Sequence, residues 1–112
     1  MLNPCKRLKV VCVGIDKDGN MMMRENGNLF ECTGEEGNCG CIHAEVNLIK
    51  EMPHPKEVII THSPCLTCAI MLYNAGVKKV TYLEPYRKKE GIEYLKKKGV
   101  KVEYKKVFVP TY

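Results

Sequence analysis

The sequence has no tryptophan, only two phenylalanines, and no apolar run that approaches the roughly 20 residues needed to cross a bilayer. Its first 13 residues are interrupted by a proline and three basic residues, which argues against a secretory signal peptide. The few aromatic residues are not interleaved with the basic ones, so a groove for single-stranded nucleic acid is not indicated. We therefore expect a protein that binds neither a membrane nor nucleic acid.

The length of 112 residues allows one buried core and is too short for two, so we expect a single domain over residues 1–112. The net charge of +5 comes largely from lysine-rich runs at 78–79, 87–89, 96–98 and 105–106. Such runs could attract a phosphate-bearing substrate. They are more often the solvated faces of helices, so charge alone does not identify a ligand.

Seven cysteines are many for this length, and their number is odd. An odd count does not suit a disulfide framework, whereas thiols that bind a metal suit a reducing compartment. We therefore expect a cytoplasmic protein in which some of the cysteines are metal ligands.

Two short motifs carry the clearest chemical information, H-A-E at residues 43–45 and P-C-L-T-C at residues 64–68. His43, Cys65 and Cys68 together supply one imidazole and two thiolates, which is a tetrahedral zinc set with one ligand missing. Catalytic zinc sites have this arrangement, because the fourth position stays open for water. The combination of H-x-E with P-C-x-x-C is typical of zinc-dependent nucleobase deaminases.

Glu45 is too close to His43 in the sequence to be a comfortable co-ligand. We predict that it carries protons to and from the zinc-bound water. A structural zinc site, closed by Cys39 or Cys41, remains an alternative because both lie just before His43.

Hydrophobic periodicity and turn residues predict five strands and three helices. An Asp18-Gly19 turn separates the first two strands, and a long loop over 25–42 precedes the first helix. Strands that alternate with helices after residue 43 predict right-handed crossovers and a largely parallel sheet. Both motifs then lie at helix N-termini, where the positive end of the helix dipole favours thiolates. The predicted strands cover 9–15, 21–24, 57–61, 77–83 and 100–104, and the predicted helices cover 43–52, 65–74 and 87–98.

Nearly the whole sequence resembles the cytidine deaminase superfamily, and most closely its deoxycytidylate (dCMP) deaminase branch. The similarity lies in H-A-E-V-N at 43–47, T-H-S-P-C-L-T-C-A at 61–69 and N-A-G-V-K-K-V at 74–80. Asn47 is the residue of the first stretch that is similar to the dCMP branch. The resemblance implies an α/β fold of the cytidine deaminase-like type, a three-layer α/β/α arrangement around a mixed five-stranded sheet.

The resemblance also implies a reaction, the hydrolytic conversion of dCMP to dUMP with release of ammonia. Glu45 would accept the proton of the water and pass it to ring nitrogen N3 and then to the leaving amine. The carbonyl of Ser63 and the backbone N–H of Cys65 would contact the reacting centre, and Asn26 would contact the sugar. The substrate phosphate would need donors, for which the sequence offers Arg7, Lys9, Tyr86 and Arg87. A solvated surface position is the alternative for each of these four.

The sequence departs from the family in four places. One is the G-Y-N-G stretch after the second strand, which appears here only as Glu25-Asn26-Gly27. The usual N-terminal helix is almost absent because the first strand begins near residue 9, and Cys12 replaces an alanine of that strand. The loop that carries allosteric nucleotide contacts in larger members is short here. Regulation by dCTP or dTTP is therefore not implied.

Five further cysteines lie outside the catalytic motif, and apart from Cys12, which is expected to be a core residue of the first strand, four of them have no role. Some members of the family hold a second, structural zinc between the N-terminal stretch and the loop after the second strand. Four thiols would suit such a site, and free thiols are the alternative. These residues are Cys5, Cys32, Cys39 and Cys41.

Members of the superfamily are usually homo-oligomers. The resemblance therefore implies a dimer or a hexamer, in which the loop over 25–42 lies near an interface. Three other functions remain open: a deaminase of tRNA or single-stranded nucleic acid, a deaminase of another free cytosine nucleoside or nucleotide, and a zinc-stabilised module without activity. Neither of the remaining histidines is expected to bind metal, since His62 should pack beside the site and His54 should be exposed.

Overall fold

The computed structural model describes residues 3–4, 9–28, 42–85 and 89–105. Within these ranges the chain forms β1 (Asn3–Pro4), β2 (Val11–Ile15), β3 (Met21–Glu25), β4 (Gly27–Asn28), α1 (Ala44–Glu51), β5 (Glu57–His62), α2 (Leu66–Asn74), β6 (Lys79–Glu84), α3 (Glu90–Lys97) and β7 (Lys101–Tyr104). The predicted strands and helices agree with these bounds to within two residues, apart from the start of α3, where residues 87 and 88 lie outside the described residues. The short pair of β1 and β4 was not predicted.

Five strands form one mixed sheet in the order β3-β2-β5-β6-β7. Strand β2 is antiparallel to both of its neighbours, whereas β5, β6 and β7 are parallel to one another. The predicted α/β fold with a mixed five-stranded sheet is therefore confirmed.

The turn between β2 and β3 follows from two residue types. Gly19 has a φ of 84°, a left-handed conformation that glycine adopts without steric cost. The Oδ1 atom of Asp16 accepts hydrogen bonds from the backbone N–H groups of Asp18 and Asn20, at 2.9 Å each. This aspartate and glycine set the register in which Ile15 pairs with Met21.

The three helices pack on one face of the sheet. Right-handed crossovers that advance in one direction, from β5 to β6 to β7, place α2 and α3 on the same side. Helix α1 joins them, because a Cβ on Gly14 of β2 would lie 2.8 Å from Leu48 Cδ2 and 2.9 Å from Met52 Sδ. One core therefore joins the sheet to all three helices through Cys12, Leu48, Val58, Ile60, Leu72, Val80 and Leu95.

The opposite face of the sheet carries the alternate residues of the same strands. Val11, Val13 and Ile15 of β2 are half-buried there, and their cross-strand neighbours Met21 and Met23 are 68% and 57% exposed. Of the three predicted layers, the described residues form two, a sheet and one layer of helices.

Candidate active site

Two helix N-termini bring three metal donors together. His43 is the residue before α1, Cys65 is the residue before α2, and Cys68 lies in the first turn of α2. The Nδ1 atom of His43 is 3.2 Å from Cys68 Sγ and 3.7 Å from Cys65 Sγ, and all three donor atoms lie within 4.8 Å of one another. Among the described residues, these three side chains form the group that could hold a metal ion.

The local backbone explains why the donors converge. His43 and Cys65 are both extended, at ψ values of 150° and 169°, and each begins a helix through its own carbonyl. The carbonyl of His43 accepts from the N–H of Asn47 at 3.1 Å, and that of Cys65 accepts from the N–H of Ala69 at 2.9 Å. Each donor thus lies at the positive end of a helix, which favours a thiolate.

The donor set fits zinc. Tetrahedral ligands at zinc–sulfur and zinc–nitrogen bonds of about 2.3 and 2.0–2.1 Å lie roughly 3.5 Å apart, close to the separations found here. The N–H of Cys68 also donates to Cys65 Sγ at 3.5 Å, so the first turn of α2 orients the thiol of Cys65.

The pKa values of the two thiols are shifted in opposite directions. Hydrogen bonds from Cys68 and His43 lower the pKa of the Cys65 thiol to about 4. Hydrogen bonding to Cys65, together with burial, raises the pKa of the Cys68 thiol. Both thiols must lose their protons for both sulfurs to bind a divalent cation.

Glu45 lies beside this group in the first turn of α1, and its side chain is 3% exposed. Burial raises the pKa of its carboxyl, and the backbone N–H of Glu45 and the charge of His43 partly oppose the shift. The carboxylate also shares a hydrogen bond with the side chain of Cys68. A buried carboxyl with a raised pKa is suited to accept and release a proton.

The two residues predicted to contact the substrate follow the carboxyl ends of β3 and β5, which run in the same direction. Ser63 is buried at the end of β5, and its N–H donates to the carbonyl of Glu84 at 3.0 Å. Asn26 follows β3, and its Oδ1 accepts from the N–H of Val10 at 2.9 Å. Gly27, the next residue, pairs with Ile42, the residue before His43. Asn26 is thereby held next to the segment that carries His43.

A family model describes the same motifs. The cytidine and deoxycytidylate deaminase zinc-binding region matches residues 1–84, which include both H-A-E and P-C-L-T-C. The chain belongs to the cytidine and deoxycytidylate deaminase family. The predicted zinc cofactor is confirmed, since the matched region is a zinc-binding one and the His/Cys/Cys group is assembled.

Individual members of the family are similar over different shares of the chain. The deoxycytidylate deaminase of Saccharomyces cerevisiae is 31% identical over 87 residues, which are 69% of this chain and 28% of the yeast protein. ComE operon protein 2 of Bacillus subtilis is 36% identical over 52 residues, which are 41% of this chain and 28% of that protein. The chain thus matches less than a third of the length of either relative.

A solved structure covers more of the chain. The dCMP deaminase of cyanophage S-TIM5, crystallised in complex with dCMP and dUMP, superposes with a TM-score of 0.76 at 37% identity. The match covers 90% of this chain and 84% of the phage chain. None of the helices described here has the length and apolar character of a membrane span.

Several of the predicted functional residues lie outside the described residues. They are Arg7, Tyr86 and Arg87, which were candidates for phosphate binding, and Cys5, Cys32, Cys39 and Cys41, which were candidates for a second zinc. The fourth phosphate candidate, Lys9, is exposed and pairs with Glu25 at 3.3 Å.

The other two histidines of the chain have contacts away from the donor group. His62 contacts Thr61 Oγ1 through Nδ1 at 3.0 Å and Glu84 Oε2 through Nε2 at 3.1 Å. His54 is exposed, with its Nδ1 3.2 Å from the carbonyl of Ala75. Both therefore lie where the sequence predicted them, outside the metal group.

Sequence reasoning missed Gly91 in α3. A Cβ on this residue would lie 2.2 Å from the carbonyl oxygen of Pro64 and 2.9 Å from that of Cys65. Helix α3 therefore touches the backbone that carries a metal donor, and only glycine fits at the contact. The sole sequence signal is a glycine inside a helical pattern, which can mark a close backbone approach.

Proposed function

We propose that this deaminase converts dCMP and water to dUMP and ammonia. The proposal rests on one observation, the buried Glu45 carboxyl beside the donors of His43, Cys65 and Cys68. The likeness to a phage dCMP deaminase crystallised with dCMP and dUMP supports the choice of substrate.

In this proposal His43, Cys65 and Cys68 hold the zinc. Zinc lowers the pKa of a water that it binds, which supplies a nucleophile near neutral pH. Glu45 would take one proton of this water and deliver it to N3 of the cytosine ring while the water oxygen bonds to C4. It would then take the remaining proton of that oxygen and pass it to the amine, whose bond to C4 breaks to release ammonia. Its burial supports this role, because burial raises the pKa of the carboxyl and so suits it to accept and release protons.

We further propose that Ser63 and Asn26 hold the substrate. The carbonyl of Ser63 and the N–H of Cys65 would orient the reacting end of the base, and Asn26 would bind the sugar. The hydrogen bonds that fix Asn26 to Val10 and Ser63 to Glu84 support this assignment, since a contact residue needs a defined position.

A deamination screen tests the function. Purified protein with a measured zinc content would be given dCMP, CMP, dCTP, deoxycytidine, cytidine and a cytosine-containing oligonucleotide, and ammonia release would be followed. We expect dCMP to give the highest kcat/KM. Protein carrying Glu45→Gln, purified in the same way, controls for a contaminating deaminase. Efficient turnover of the oligonucleotide without turnover of dCMP would replace our proposal with a nucleic-acid deaminase.

We also propose that the chain assembles as a dimer or a hexamer. The half-exposed sheet face around Met21 and Met23 supports this, since an apolar surface of this kind commonly packs against a copy of the same chain. Light scattering at micromolar concentration would measure the mass. A monomer that keeps full activity on dilution would refute the assembly and leave the chemistry intact.

Finally, we propose that residues 1–112 form one domain that works in a reducing compartment such as the cytoplasm. One sheet runs from Val11 to Tyr104, and among the described cysteines Cys12, Cys65 and Cys68 form no disulfide. Single-step thermal unfolding and a thiol titration of the freshly isolated protein would test both parts.

A further inference from the structure

A buried amide on α1 reaches across to another element. Asn47 lies two residues after Glu45 and is 9% exposed. Its side-chain Nδ2 donates to the backbone carbonyl of Glu25 at 2.8 Å, across 22 positions of the sequence. A buried amide that loses such a partner leaves a carbonyl unsatisfied, which costs more than an ordinary surface contact.

The carbonyl that Asn47 holds belongs to the peptide that leads into Asn26. The N–H of the same peptide, that of Asn26, donates to the carbonyl of Val10 at 3.1 Å. The side-chain Oδ1 of Asn26 accepts from the N–H of Val10 at 2.9 Å. Both polar ends of the peptide are therefore fixed, one by Val10 and the other by Asn47.

A second connection lies on the other side of Asn26. The N–H of Gly27 donates to the carbonyl of Ile42 at 3.0 Å, and the N–H of Ile42 donates to the carbonyl of Gly27 at 2.5 Å. Ile42 precedes His43, so Asn26 lies between two connections to the segment that also carries His43 and Glu45. The nearby ion pair of Lys9 with Glu25 is exposed and fixes little.

We propose that Asn47 is a positioning residue that sets the place of Asn26 relative to the donor group. Its hydrogen bond to the Glu25 carbonyl connects α1, which carries Glu45, to the segment that contains Asn26. Glu45 and Asn26 are thereby held in a fixed arrangement. This inference rests on the proposed function, in which Asn26 contacts the nucleotide. It predicts that loss of the Asn47 amide weakens substrate binding while the zinc stays bound.

The test compares Asn47→Asp with the wild type. Aspartate keeps the shape of asparagine but has no N–H to donate when ionised, and it turns an oxygen toward the Glu25 carbonyl. We expect the KM for dCMP and the Kd for dUMP to rise about tenfold, the scale of one lost hydrogen bond, with zinc content unchanged and kcat less affected. Asn74→Asp, on an exposed asparagine at the end of α2, is the matched control and should change neither constant. If Asn47→Asp does not fold, Asn47→Ala removes the amide without the repulsion.

A double-mutant cycle with Asn26→Ala separates positioning from general support. If Asn47 acts through Asn26, then Asn47→Asp should raise KM little further once the Asn26 side chain is gone. A full further tenfold rise would overturn the inference, as would a lower Tm with zinc loss and an unchanged KM. If the wild type acts on another compound of the screen, KM is measured on that compound. A wild type that deaminates none of them overturns the proposed function as well, whereas normal turnover with an unchanged KM in the variant overturns this inference alone.

Discussion

The two faces of the sheet differ in how their side chains are used. On the helix face, Leu48, Ile60 and Leu95 are almost fully buried. The donor group lies on this side, where α1 and α2 begin. On the opposite face, Val13 and Ile15 are half-buried and Met23 is mostly exposed. The fold therefore concentrates both its stability and its chemistry on one side, and substitutions should have unequal effects on the two.

Loss of a metal donor should have the largest effect. Cys68→Ala removes one of three donors, and we expect both zinc and activity to fall below detection. Zinc per chain, by elemental analysis, and ammonia release are the measurements. Cys12→Ala is the control, because Cys12 is a buried thiol of the same face outside the donor group. Equal loss of zinc in both variants would contradict the assigned donors.

Removal of the proposed proton carrier should have the next largest effect. Glu45→Gln keeps the size of the side chain but cannot take up a proton, so kcat should fall by at least about 10²-fold with zinc retained. Glu51→Gln, at the exposed end of the same helix, should leave kcat unchanged. A Glu45→Gln variant with near-normal kcat would show that another group carries the proton.

A methyl group at Gly91 should have an intermediate effect. Alanine in an unobstructed helix position usually stabilises a protein, but here its Cβ would overlap the Pro64 carbonyl. We expect Gly91→Ala to lower the free energy of unfolding by about 1–3 kcal/mol and to change the absorption spectrum of the Co²⁺-substituted protein. Gly99→Ala has open space but a φ of 83°, so it should cost stability and leave the spectrum unchanged. An unaltered spectrum for Gly91→Ala would refute the contact with the metal site.

The smallest effect should come from the open face. Met23→Ala should change the free energy of unfolding by less than about 0.5 kcal/mol, as at other exposed positions. Leu48→Ala, at a fully buried position of the helix face, should cost about 2–5 kcal/mol. Urea denaturation of both variants would test the contrast. Comparable losses would mean that Met23 is covered in solution, and repeating the measurement at higher dilution would reveal whether a second copy covers it.

The donor group could be predicted from the sequence because each motif is local. His43 and Glu45 lie two residues apart, and Cys65 and Cys68 are one helical turn apart, so helix geometry alone brings each pair onto one side. The strands and helices followed from the same kind of short-range pattern.

The supporting contacts could not be predicted because they join distant parts of the chain. The hydrogen bond of Asn47 to Glu25 and the approach of Gly91 to Pro64 depend on how whole elements pack. The described helices form one layer for a similar reason. They lie on one face because β5, β6 and β7 follow one another across the sheet in a single direction. A sequence pattern assigns a strand to a sheet more readily than it assigns a position within the sheet.

The two outermost strands of the described sheet differ in how readily they could pair with a strand of another molecule and so cause aggregation. Strand β7 begins at Lys101 and is followed by Lys105, and charged side chains of this kind discourage pairing with the edge of another molecule. Strand β3, at the other edge, begins with three consecutive methionines and has only Arg24 and Glu25 as charged residues. Unwanted growth of the sheet should therefore start at β3, and a lysine in place of Met21 would be the simplest way to protect concentrated samples.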